Sequence, residues 1–159
     1  MTKPNDADMR PFSESLPMAL LRARETTMRS FRQSLAQHDL TEQQWRVLRA
    51  LATNRDGLEV RELAERTFLL GPSLSRILAN LETRGLIRRL AVATDQRRAH
   101  IKLERKATEL VRLIGPESEA RYAEIESKFG SKRYGQLLRM LEDLASLDIG
   151  DDADRKRAS

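Results

Sequence analysis

The chain has 159 residues, 33% of them charged and 4% aromatic, and its 29 Lys and Arg against 24 Asp and Glu leave a net charge of +5. That length supports one domain with a core of Leu, Ile, Val, Ala and Met, and the absence of cysteine removes disulfides, thiolate metal sites and thiol redox chemistry. His38 and His100 lie far apart, so no metal or other cofactor is expected; residues 16–21, the longest near-apolar run, fall far short of the ~20 residues of a membrane span, and with no signal-peptide pattern the chain is expected to be cytoplasmic.

Residues 1–14 are polar, carry Pro4 and Pro11, and are expected to form a flexible arm. A first helix is predicted from Pro17 to about Gln37, with Leu21, Met28, Phe31 and Leu35 in one stripe and Leu20 and Ala23 beside it. Thr41 and Gln44 have the spacing of a capping box, and Leu40 and Trp45 that of a hydrophobic staple. They open a second helix over about 42–53 that buries Trp45, Val47, Leu48 and Leu51. Asn54 to Gly57 make a turn. A third helix over 60–67 turns Val60, Leu63, Ala64 and Thr67 inward, with Glu59 as a weak cap.

The fourth helix, 72–84, starts with Pro72 in its first turn, where the missing N–H costs nothing. Leu74, Ile77, Leu78 and Leu81 form its buried stripe, while Ser73, Arg76 and Asn80 share the other side. Gly85 stands where a left-handed residue ends a helix, and Leu86 is placed for the accompanying apolar contact. Two short strands follow at 86–92 and 99–103, with Asp95-Gln96-Arg97-Arg98 between them and His100 facing solvent. Helical sequence resumes at 104–128, where Gly115-Pro116 predicts a kink or break. Ser131 caps a final helix, about 132–147, with Tyr134, Leu137, Leu138, Leu141, Leu144 and Leu147 inward. The tail, 149–159, lacks apolar residues other than alanine beyond its first position and is expected to be disordered.

This order, α-α-α-α-β-β-α-α, is that of a mainly α protein with a small β wing: a winged helix-turn-helix over about 41–103, inside a single domain of 15–148. The helices at about 16–38 and 104–147 carry more apolar surface than the winged unit can cover, which predicts a two-fold homodimer. Residues 71–105 hold eight basic and three acidic residues; the rest of the chain is neutral. A localised basic surplus on a helix and hairpin is the footprint of a polyanion binder. A dimer would set two such helices ~34–36 Å apart, facing a palindromic site on double-stranded DNA.

The chain resembles the MarR family of winged-helix transcriptional regulators over about 16–147. The resemblance is carried by Leu63-Ala64-Glu65, Pro72-Ser73 through Leu81-Glu82, Gly85-Leu86-Ile87 and the wing DQRRAHIKL. LLRARETTMRSF and HDLTEQQWRVLRAL are similar to the subgroup that regulates homoprotocatechuate (4-hydroxyphenylacetate) degradation operons. The resemblance implies a homodimeric repressor that leaves its operator when a small aromatic acid binds. It also implies DNA contacts from Ser73, Ser75, Arg76 and Asn80 and, in the wing, from Arg97 in the minor groove, with Asp95 bracing the wing through a basic partner. Gln96 and Arg98 beside Arg97 are further candidates for DNA contact, and Arg98 alternatively pairs with Asp95. Gln96 stands where family members commonly have Arg, and Leu103-Glu104 and Ala107 stand where they commonly have Leu-Thr and a nearby Gly.

Arg76 has the fork to grip guanine O6 and N7, or it pairs with Glu82; Asn80 suits adenine, and Ser73 and Ser75 suit phosphate. For an effector, Arg24 beside Met28 and Phe31 suits a ligand carboxylate, or it pairs with Glu25 or a second subunit. Trp45 supplies an apolar wall or serves packing alone, and Arg46 adds a polar handle. An architectural DNA-binding protein, or a MarR-type regulator with a different or no effector, is the alternative. No glycine-rich phosphate loop and no Ser-His-acid constellation occurs, so no enzyme is expected.

Overall fold

The protein is described from a computed structural model over residues 9–92 and 95–149, with the side chains of residues 92 and 95–98 outside that description. After a 3-10 turn at Phe12–Glu14 come α1 (Leu16–Ala36), α2 (Glu42–Ala52), β1 (Leu58–Glu59), α3 (Val60–Thr67) and α4 (Gly71–Thr83). β2 (Ile87–Val92), β3 (Asp95–Leu103), α5 (Arg105–Phe129) and α6 (Ser131–Ala145) complete the order. The chain divides into two compact units, one through Arg121 and one from Tyr122.

Local chemistry sets most boundaries. Gln44 N–H donates to Thr41 Oγ1 at 3.2 Å and Thr41 N–H to Gln44 Oε1 at 3.0 Å, the reciprocal capping box that opens α2. Leu40 and Trp45 are both buried in the core, as a staple requires. At the far end of α4, Gly85 takes φ +67. Its N–H bonds to the Glu82 carbonyl, and the Leu86 N–H to the Leu81 carbonyl, each at 2.9 Å. This is the Schellman stop, closed by buried Leu81 and Leu86.

The first unit is built around Leu48, Leu63, Leu74, Leu78, Ile101 and Ile114, all essentially solvent-free. Each fully buried aliphatic side chain contributes about 1.5–3 kcal/mol over its exposed state. The sheet has the order β1-β3-β2, all antiparallel, with Leu58 opposite Ile101 and Arg89 opposite Ile101 from the other side. β1 was not expected from the sequence. It exists because Gly57, at φ +85, brings the chain against the Ile101 carbonyl, where a Cβ would stand only 2.7 Å away.

Four expectations are corrected. α5 runs unbroken through Gly115-Pro116: buried Ile114 and Ser118 anchor the turns on both sides, and proline removes only one helical hydrogen bond. Gly130, not Ser131, precedes the first residue of α6. α6 fully buries none of its residues: Tyr134, Leu141 and Leu144 are half-buried, while Leu137, Leu138 and, past the helix end, Leu147 are exposed rather than inward. His100 is half-covered, its Nε2 3.7 Å from Glu59 Oε1, since β1 lies beside it.

Candidate nucleic-acid interface

α4 separates its two faces cleanly. Leu74, Leu78 and Leu81 fix it to the core, which leaves Ser73, Ser75, Arg76 and Asn80 exposed on the outside. Glu82 takes its ion pair from Arg89 of β2 at 3.1 Å, so Arg76 is not tied to Glu82. Arg88 pairs with Glu104 at 3.3 Å. Asn80 is held: Gln44 Nε2 donates to its Oδ1 at 2.9 Å. The side chain that caps α2 therefore also holds the Asn80 amide, whose second Oδ1 lone pair and Nδ2 donors are the groups a two-handed contact to adenine uses. Asp95, Gln96, Arg97 and Arg98, expected between the two strands, are instead the first four residues of β3, because their backbone pairs on toward Val92; their side chains lie outside the described residues.

The turn into α4 carries further exposed surface that sequence reasoning missed. Phe68 ends α3 in the left-handed conformation (φ 52, ψ 35) and is 89% exposed; Leu70, at the N-cap of α4, is 78% exposed. The signal was a Phe-Leu-Leu run next to Gly71-Pro72, which helical periodicity could not assign to either neighbour.

A second cluster lies where α1 crosses the start of α2. The Glu42 carboxylate, 7% exposed, accepts from Arg24 Nη2 and, at 2.7 Å, from Arg32 Nε. Glu25 bridges the same pair, 3.0 Å from Arg24 and 2.8 and 2.9 Å from Arg32. Burial alone would raise the Glu42 carboxyl, but the hydrogen bonds from Arg32 and Arg24 outweigh it and hold it below its ordinary range. The Arg32 hydrogen bond lowers Glu25 likewise. Arg24, Arg32, Leu40, Thr41, Glu42 and Gln43 line an open depression here.

Of the expected effector residues, only Arg24 lines that depression. Phe31 and Trp45 are buried and Met28 is half-buried. Arg46 donates from Nη1 to the Thr67 carbonyl at 2.9 Å and lies 3.6 Å from Glu42, so it ties α2 to the end of α3. Arg32, Glu25 and Glu42 were missed. Arg32 and Glu25 stand seven residues apart on one face of α1 and bond each other directly, but the carboxylate that joins Arg32 to Arg24 from outside, Glu42, comes from another helix. Among the described residues no group of His, Cys, Asp and Glu could hold a metal ion, and no helix is long and apolar enough to cross a membrane.

A sequence profile described as MarR family matches residues 38–98. The homoprotocatechuate degradative operon repressor of Escherichia coli is 39% identical over 134 residues, which span 84% of this chain and 90% of that protein. The crystal structure of NadR in complex with 4-hydroxyphenylacetate is similar at 38% identity and TM-score 0.75, covering 88% of this chain and 99% of that one. The transcriptional repressor CouR, bound to a 23-mer DNA duplex, is similar at 29% identity and TM-score 0.77, covering 84% and 94%.

Proposed function

The chain belongs to the MarR family of DNA-binding transcriptional regulators, and from that premise we propose that it is a homodimeric repressor of an aromatic-acid catabolic operon, released from a palindromic operator by a small aromatic acid. One observation carries the DNA half of this reading. Arg76 stands exposed between Ser73 and Asn80 on the outer face of a helix whose other face is locked in the core. The cationic surplus of the whole chain lies on that helix and the hairpin after it. Arg76 then reads a guanine, Ser73 and Ser75 hold phosphate, and Arg97 and Arg98 of the wing follow the adjacent groove. The exposed apolar residues of α6, with Leu20 and Leu21 of α1, support a second copy as the partner of the dimerisation helices.

For the effector, the depression beside Arg24 and Arg32 suits an aromatic carboxylate that competes with Glu42 and Glu25 for the two guanidiniums. The names of the E. coli repressor and of the NadR complex support homoprotocatechuate or 4-hydroxyphenylacetate as that acid. A regulator without this effector is the second reading, favoured by one fact: both arginines are already engaged by carboxylates.

Fluorescence anisotropy with fragments of the upstream region of its own gene tests both halves. Saturable binding to a palindromic fragment, weakened by added 4-hydroxyphenylacetate or homoprotocatechuate, is expected. No binding to any fragment at low salt overturns the DNA half; binding that neither acid weakens favours the second reading.

A further inference from the structure

The turn between α3 and α4 alternates out, in, out. Leu69 packs against the core, and its two neighbours are thereby projected into solvent, Phe68 at 89% and Leu70 at 78% exposure. Neither residue suits its own backbone position. Phe68 occupies the left-handed region, which Gly or Asn adopts at far lower cost than an aromatic residue. Leu70 occupies an N-cap, where Ser, Thr, Asp or Asn would accept a hydrogen bond from the helix and leucine accepts none. Two large apolar side chains that worsen local stability and stay in water serve a contact outside the chain.

The surroundings select the partner. Leu70 immediately precedes Gly71, the first residue of α4, and open space surrounds the position of a Cβ at Gly71, so the start of this helix is bare enough for close approach. The segment that follows holds the whole cationic surplus of the chain, which matches a polyanion rather than an apolar protein groove. Within a DNA groove the apolar features on base edges are the thymine methyl groups of the major groove. We propose that Phe68 and Leu70 form an apolar edge of the DNA-reading surface, seated on thymine C5-methyl groups beside the bases reached by α4. This rests on the DNA-binding reading above.

The test uses the duplex bound by the full-length protein, with each thymine replaced in turn by deoxyuridine, which lacks only the methyl. A loss of roughly fourfold in affinity per contacted methyl is expected at one or more positions. Phe68→Asn and Leu70→Ser should bind the parent duplex more weakly and no longer distinguish thymine from deoxyuridine at those positions. Both substitutions suit the local backbone, so their thermal midpoints should equal or exceed that of the parent. Parental binding indifferent to every replacement overturns the proposal, as does a variant that keeps the parent's preference for thymine. A changed sedimentation coefficient of the free variants also overturns it, because the edge then belongs to a contact between copies. If the parent binds no duplex at all, the underlying reading falls together with the proposal; binding without methyl dependence removes the proposal alone.

Discussion

At residue scale the clearest charge arrangement is Glu42 between Arg24 and Arg32. Its carboxyl titrates below the ordinary value of 4.5, so its stabilising effect is complete above that pH and fades as pH falls through the lowered folded value. Glu42→Gln should cost about 1–3 kcal/mol at pH 7, less than a fully buried pair because both arginines are part-exposed. Urea denaturation at pH 7 and pH 4 should show the gap between parent and variant narrowing at the lower pH. Arg76→Ala should leave the unfolding midpoint unchanged and cost about 1–3 kcal/mol in operator affinity, with the largest loss on duplexes that carry the guanine it reads. The outward face of Arg76 was legible from the spacing of Leu74, Leu78 and Leu81. The role of Glu42 was not: in sequence it is a first-turn acidic residue of α2, and only the packing of α1 across that turn supplies its two cations.

At the scale of elements, the features that could be read in advance are those whose partners lie within one or two turns. The Thr41–Gln44 box and the Gly85 stop are closed by groups three to five residues apart, so their signals are contained in short strings. β1 has no such signal. Two residues carry no period, and the strand forms only through pairing with β3 some forty residues later. The same limit explains α5, whose Pro116 predicts a break from local chemistry while burial of Ile114 and Ser118 holds the helix intact. Gly57→Ala tests the element that was missed. Its left-handed backbone and the 2.7 Å approach to the Ile101 carbonyl should make the substitution cost about 1–3 kcal/mol. Hydrogen exchange should then show the amides of β3 opening faster, with those of α2 less affected.

At the scale of the whole molecule, α6 exposes Leu138 at 51% and Met140 at 67%, an apolar surface that a two-fold assembly would cover. If the proposed dimer forms through this surface, Leu138→Glu should convert it to monomer in sedimentation velocity and lower operator affinity by ~10²-fold or more, as two linked half-site contacts become one. Several phosphate contacts per half-site predict a loss of roughly 10³-fold or more in affinity between 50 and 200 mM salt, readable as a steep linear slope in anisotropy titrations. The excess of apolar helix surface that argues for such an assembly is legible in the sequence, whereas the geometry of a proposed pair is not, because no pattern within one chain records which copy faces which. The segregation of charge has one more consequence. Since residues outside 71–105 sum to zero charge, two copies that associate through their apolar helices bring no net charge of those helices' surroundings against each other. The field of a duplex would then act on the cationic segment, turn it toward the DNA before collision and let the protein glide along unrelated sequence in search of its target.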